Sequence, residues 1–189
     1  MSIHEASPNR GDAGFSLIEL FGVLVVTLSV LGIGLGGFSM ALNNVRGDAS
    51  MNIVLSQFKL ARETAINQRR FVEVRFTLPN FMSVVRRDLP NGTTVVSTAV
   101  LEHQTQFYNF TTMADTPDGF GKTGALSFAA ATAFMFDAEG QFVDETGTVL
   151  NASVFVGKPN TPMTARALTV FGPTSTIRTY RWNGAAWRH

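Results

Sequence analysis

The chain has no cysteine among its 189 residues, so no disulfide staples it and no thiol chemistry is open to it. Charge is sparse as well. Lys and Arg number 15 against 14 Asp and Glu, a net charge of +1, which excludes a strongly electrostatic role for the protein as a whole. The three histidines, His4, His103 and His189, are scattered and form no metal-ligand spacing. The most localised absence is of charge between Leu20 and Val45, where no Asp, Glu, Lys or Arg occurs. A membrane span needs about 20 mostly apolar residues, and this stretch is long enough. With the span and the residues before it set aside, roughly 140 residues remain, enough for one compact domain. The 16 phenylalanines supply its core.

At the mouth of the uncharged run stands Gly14-Phe15-Ser16-Leu17-Ile18-Glu19-Leu20. A lone carboxylate near one end of a membrane helix costs a few kcal/mol if unpaired, which makes Glu19 a functional residue by default and a cation its expected partner. An ordinary secretory signal has a short apolar core with a small-residue cleavage site on its far side. Here the run is too long, and the glycine lies before it. The segment resembles the class III signal of type IV prepilins and of the pseudopilins of type II secretion. The resemblance implies cleavage after Gly14 by a prepilin peptidase, methylation of the new amine on Phe15, and pairing of Glu19 with the N-terminal amine of a neighbouring subunit. The leader carries Glu5 and Asp12 beside a single Arg10, so orientation rests on the motif more than on a positive-inside bias.

Beyond the run, Met51, Val54, Leu55, Phe58, Ala61, Ala65 and Ile66 recur at three and four, an amphipathic stripe that continues the first helix. One helix is expected from about Phe15 to Gln68, on the order of 80 Å long. Gly32, Gly34, Gly36 and Gly37 weaken it locally, each by about 1 kcal/mol relative to alanine. They read as a hinge, as a small-xxx-small contact between helices, or as glycine that membrane helices tolerate. After Arg69-Arg70 the period changes to that of strands. Val72, Val74 and Phe76 alternate with Glu73 and Arg75. Further strands are expected over Phe81 to Arg87 and Thr93 to Leu101, joined by a tight turn at Asn91-Gly92. Others are expected over Ala133 to Phe136, Val149 to Val156, Ala167 to Phe171 and Ile177 to Trp182. The stretch Leu55 to Ile66 followed by a strand, and Phe134 to Gly140, are similar to the GspH/FimT group of minor pilins and pseudopilins.

No residue set reads as catalytic. Gly119-Phe120-Gly121-Lys122-Thr123 echoes the end of a phosphate loop, but the position five before Gly121 is Thr116, and the segment reads as a surface loop. Asp137, Glu139, Asp144 and Glu145 read as a solvated acidic hairpin, with a calcium site as the alternative. From Gly157 onward Lys158, Arg166, Arg178, Arg181 and Arg188 occur without an acidic residue and with Tyr180, Trp182 and Trp187 between them. That pattern suits nucleic acid, by phosphate pairing and base stacking, or a final strand whose arginines face water or a neighbouring subunit. In the FimT branch a C-terminal Gly-Arg-x-Arg stretch is associated with DNA capture. The matching positions here are Ser175-Thr176-Ile177-Arg178, so the resemblance carries over Arg178 and, by proximity, Arg181.

The expected architecture is α+β and pilin-like: a cleaved leader over 1–14, a transmembrane anchor and assembly segment over 15–45, an amphipathic continuation over 46–70, and a β-rich head over 71–189 on an antiparallel sheet. The expected function is a non-enzymatic minor pilin or pseudopilin without a cofactor or metal. It would be a single-pass protein of the bacterial inner membrane with its head in the periplasm or at the cell surface. Its partners would be other pilin subunits, the prepilin peptidase and methyltransferase, the inner-membrane assembly platform and lipid. The alternative is a DNA-binding minor pilin of a competence pilus.

Overall fold

A computed structural model of the chain describes residues 16–128 and 134–189, with the backbone alone described at 33–37 and 40. The chain divides into two units, one ending at Ser39 and one spanning Met40–His189. The helix α1 (Leu17–Gln68) contributes to both, within two residues of the expected start and at the expected end.

In the first unit, Ser16 caps the helix: the Glu19 N–H donates to its Oγ at 3.3 Å and to its carbonyl at 3.0 Å. The Thr27 and Ser29 hydroxyls donate to the Val23 and Val25 carbonyls at 2.7 and 2.8 Å, so neither needs water. Every apolar side chain from Leu17 to Leu31 is exposed.

In the second unit, α1 packs on two antiparallel sheets. The first sheet contains β1 (Val72–Thr77), β2 (Phe81–Arg87) and β3 (Thr93–Val100). The short strands β4 (Gln106–Phe107) and β5 (Leu126–Ser127) belong to the second sheet, and β6 (Phe134–Phe136) and β7 (Phe142–Asp144) to the first. The second sheet is completed by β8 (Ala152–Gly157), β9 (Arg166–Phe171), β10 (Thr176–Trp182) and β11 (Trp187–Arg188), with one 3₁₀ turn at Pro162–Thr164. The strand orders are β3-β2-β1-β6-β7 and β11-β10-β9-β8-β4, with β5 also on β8. The fold is α+β, a helix on antiparallel sheet as expected, with two sheets in place of one.

Met51, Val54, Phe58, Ala61 and Ala65 of the stripe are buried, whereas Leu55 is half-buried and Ile66 exposed. Phe58 sits among the rings of Phe76, Phe136 and Phe142, with centroids 6.2, 6.3 and 6.2 Å away. Val72 and Val74 face this core as their alternation predicts. The Asn91-Gly92 step does not form a two-residue turn. The β2–β3 loop runs over five residues, Asp88 to Gly92, closed by the Asp88 N–H on the Gly92 carbonyl at 2.9 Å. A second core gathers Phe110, Met113, Phe155, Tyr180, Trp182 and Trp187.

Polar contacts between distant residues pin the helix within this unit. Ser50 and Thr105 share a hydroxyl hydrogen bond of 2.6 Å, and Arg86 donates to Gln68 at 2.7 Å. Arg62 donates to the Gly140 carbonyl at 3.3 Å. Gly140 has φ +80°, and a Cβ there would meet the end of Ile66 at 2.6 Å, so only glycine closes the β6–β7 turn against α1.

Candidate assembly and interaction surfaces

Gly14 and Phe15, the expected cleavage and methylation positions, lie outside the described residues. Glu19 lies in the first turn of α1, where a carboxylate is favoured by the helix dipole, and its side chain is exposed. No cationic partner for its carboxylate occurs among the described residues. Gly32, Gly34, Gly36 and Gly37 all lie within continuous helix, and a Cβ at Gly32 would meet nothing within 4 Å. Among the described residues no helix is long and apolar enough to cross a membrane.

The C-terminal basic residues go to different places. Arg166, expected in the exposed tail, is 2% exposed and belongs to the core's polar wall. Its Nε donates to Asp48 at 2.6 Å and one terminal nitrogen donates to the Asn44 carbonyl at 3.0 Å, both on α1. The other terminal nitrogen donates to the Met163 and Ala165 carbonyls at 3.0 and 2.9 Å. Such a fork satisfies a buried guanidinium, which a lysine could not match.

Arg178 donates to Asp118 at 2.6 Å, and the same carboxylate accepts from Thr169 at 2.6 Å and from Tyr180 at 2.9 Å. Burial pushes the Asp118 carboxyl up, but the bonds from Thr169, Tyr180 and Arg178 outweigh it and hold the group below the usual carboxylate range. Burial and the Asp118 bond push the Tyr180 hydroxyl up. Tyr180, Trp182 and Trp187 are buried in the second core, and the Trp187 indole donates to the Ala114 carbonyl at 2.8 Å. Buried as they are, these rings offer little face for base stacking, which the nucleic-acid reading of their spacing would need. Arg181 and Arg188 are paired across β10 and β11 and both are exposed.

The other motifs resolve into local structure. The Lys122 ammonium donates to the carbonyls of Phe110, Thr111 and Met113, locking the 110–122 loop, and burial lowers its pKa. Asp137 accepts from the backbone N–H groups of Glu139 and Gln141 at 3.1 and 2.7 Å. Asp144 accepts from those of Thr146 and Thr148 at 2.8 and 2.9 Å. Each carboxylate closes its own turn. No group of His, Cys, Asp and Glu suited to a metal occurs among the described residues. Asp48 and Asp118 were not legible as partners, because each meets an arginine far away in sequence with no local pattern to announce it.

No protein-family model and no curated protein matches the chain. Among solved structures it is similar to the minor pseudopilin EpsH from the Type 2 Secretion System of Vibrio cholerae. The match has a TM-score of 0.50 at 11% sequence identity, over 72% of this chain and 97% of that one. The fold of this chain is thus pseudopilin-like.

Proposed function

We propose that the chain is a non-enzymatic minor pilin or pseudopilin, a structural subunit that initiates, caps or decorates a type IV pilus-like or type II secretion filament. The observation that carries this reading is the conjunction of a pseudopilin-like fold with Gly14-Phe15 and Glu19 at the head of an uncharged apolar helix. The row of exposed apolar side chains from Leu17 to Leu31 needs lipid or other subunits to cover it. The internally satisfied hydroxyls of Thr27 and Ser29 suit a helix that has no water to bond. In this reading the peptidase cuts after Gly14, Phe15 is methylated, and residues 15–45 anchor the chain in the bacterial inner membrane. Glu19 then pairs with the amine of an adjacent subunit, which relieves the cost of its burial in lipid. The glycines Gly32 to Gly37 are the segment that unwinds when subunits pack.

Mass spectrometry of the protein from its native membrane tests the processing step: a mature N-terminus at methylated Phe15 is expected. An intact leader would refute it. Glu19→Ala tests assembly, since membrane insertion should persist while filament incorporation fails.

A second reading, a DNA-receptor subunit, is favoured by the cross-strand pair of exposed guanidiniums at Arg181, which also lies 3.9 Å from Asp48, and Arg188. Such a pair repels itself and gains from a bridging phosphate. In a gel-shift assay, equal binding by the parent and by Arg178→Ala with Arg181→Ala would remove it.

A further inference from the structure

The end of α1 and the β2–β3 loop enclose an open cleft of about 560 Å³, lined by Arg69, Arg70, Arg75 and Arg87 together with Phe71 and Leu89. Both apolar residues are largely exposed. Beneath them lies one buried carboxylate. Glu73 accepts two hydrogen bonds from Arg75, at 2.8 and 2.9 Å, and lies 3.7 Å from Arg87. Its side chain is 10% exposed while those of Arg75 and Arg87 are 47% and 42% exposed. A single inward acid therefore aligns two guanidiniums whose remaining donors reach solvent. Asp88 also borders the cleft, but Arg86 and Thr94 each hold it at 2.6 Å. Among the described residues Arg69 forms no side-chain ion pair, and the charge of Arg70 acts on Asp88 without a hydrogen bond to it. The cleft is left with more guanidinium charge than its two carboxylates, Glu73 and Asp88, can balance.

Thr93, on the lip of the cleft, opens β3. β3 is the outermost strand of its sheet, and among the described residues it pairs only with β2. Its sequence, Thr93-Thr94-Val95-Val96-Ser97-Thr98-Ala99-Val100, has neither charge nor proline, and Val95 and Val100 are more than half exposed. Protected edges carry such residues. The one protective device on β3 is a bulge that leaves Val96 unmatched between the pairs Val84–Ser97 and Val85–Val95. A strand added antiparallel to β3 would run toward Thr93 and deliver its own C-terminal end to the arginines.

We propose that this cleft and edge form one docking site for an extended, carboxylate-rich segment of a partner protein, which adds beside β3 and places its acidic end on Arg69, Arg70, Arg75 and Arg87. Guanidinium forks match carboxylates bidentately, and the open backbone groups of β3 are satisfied by another polypeptide. A nucleic acid would use the arginines and leave that edge unpaired. The site does not depend on the filament reading, because all its residues lie in Met40–His189.

The test is a fluorescence-anisotropy titration of the full chain in detergent with a short labelled peptide of alternating Val and Thr ending in Asp-Glu. The same peptide ending in Lys-Lys and a single-stranded oligonucleotide of matching negative charge serve as comparisons. The acidic peptide should bind, and the other two should bind about tenfold more weakly or worse. Arg69→Ala with Arg70→Ala, and separately Val95→Lys, should each weaken the acidic peptide by about tenfold. Arg69→Lys with Arg70→Lys, which keeps the charge but loses the fork, should fall between. Circular dichroism checks that each variant is folded, and the comparison of the three probes on the parent chain decides the matter if one is not. Absence of binding by the parent, equal binding of the lysine-ended peptide, tighter binding of the oligonucleotide, or folded variants that bind like the parent would each overturn the proposal.

Discussion

The Nε of Arg166 on β9 lies 2.6 Å from Oδ1 of Asp48 on α1, although the two residues are 118 positions apart. The pair is lopsided: the arginine side chain is 2% exposed and the aspartate 46%. Removing the buried partner leaves the carbonyls of Asn44, Met163 and Ala165 without the donors they now share. Removing the exposed one leaves Arg166 with three carbonyls to bond. Arg166→Ala empties a buried position that makes four hydrogen bonds and should cost about 3–5 kcal/mol, while Asp48→Asn keeps an acceptor for the Nε but leaves the buried guanidinium without its counter-charge and should cost less, about 1–3 kcal/mol. Thermal unfolding of both variants and of the double variant measures the difference, and equal losses would contradict this division.

Gly47 makes the same junction possible. A Cβ at this position would lie 2.6 Å from the Thr164 carbonyl oxygen and 3.1 Å from the Arg166 guanidinium carbon. Alanine is the better helix former by about 1 kcal/mol, yet here the backbone oxygen has to be displaced. Gly47→Ala should lose about 1–3 kcal/mol. Gly32→Ala, with nothing within 4 Å, should leave the unfolding of Met40–His189 unchanged. A stabilised Gly47→Ala would show that α1 can move away from β9 without penalty.

These two junction residues mark the boundary of what local sequence reveals. Phe58, Ala61 and Ala65 announce themselves by helical spacing, and Val72 and Val74 by alternation, because one face of each element is buried against a single core. The strands β5, β7 and β11 have only two or three residues, too few to display a period. β8 is buried throughout and so shows no alternation. Arg166 reads in sequence as one more cation of a basic tail. Only the pairing of β8 and β9 and the approach of α1 turn it inward. Tyr180, Trp182 and Trp187 mislead for a similar reason, since aromatic residues between arginines look alike whether they serve a core or a ligand.

The acidic turns should be indifferent to calcium. Asp137 and Asp144 already accept backbone hydrogen bonds that close the turns they begin, and the Thr146 hydroxyl and the Thr148 N–H hold Asp144 below the usual carboxylate range. Millimolar calcium should leave the thermal midpoint where it is. A rise that Asp144→Asn abolishes would instead assign a cation site to these turns.

Asp118 and Tyr180 should limit stability at opposite ends of the pH scale. Asp118 ionises at lower pH in the folded chain than in the unfolded one, so its bonds to Thr169, Tyr180 and Arg178 contribute fully above the ordinary carboxylate pKa of about 3.9. That contribution disappears as pH falls through the folded value. The Tyr180 hydroxyl is shifted up, so its contribution is complete below an ordinary pKa of about 10 and is lost as pH rises through the folded value. Asp118→Asn should cost about 1–3 kcal/mol at neutral pH and flatten the acid limb of the stability profile. Tyr180→Phe should cost about 1 kcal/mol and flatten the alkaline limb, and by removing one of the three bonds to Asp118 it should also reduce the acid limb in part. Denaturant titrations across the pH range separate the two, and an acid limb unchanged in Asp118→Asn would place the responsible carboxylate elsewhere.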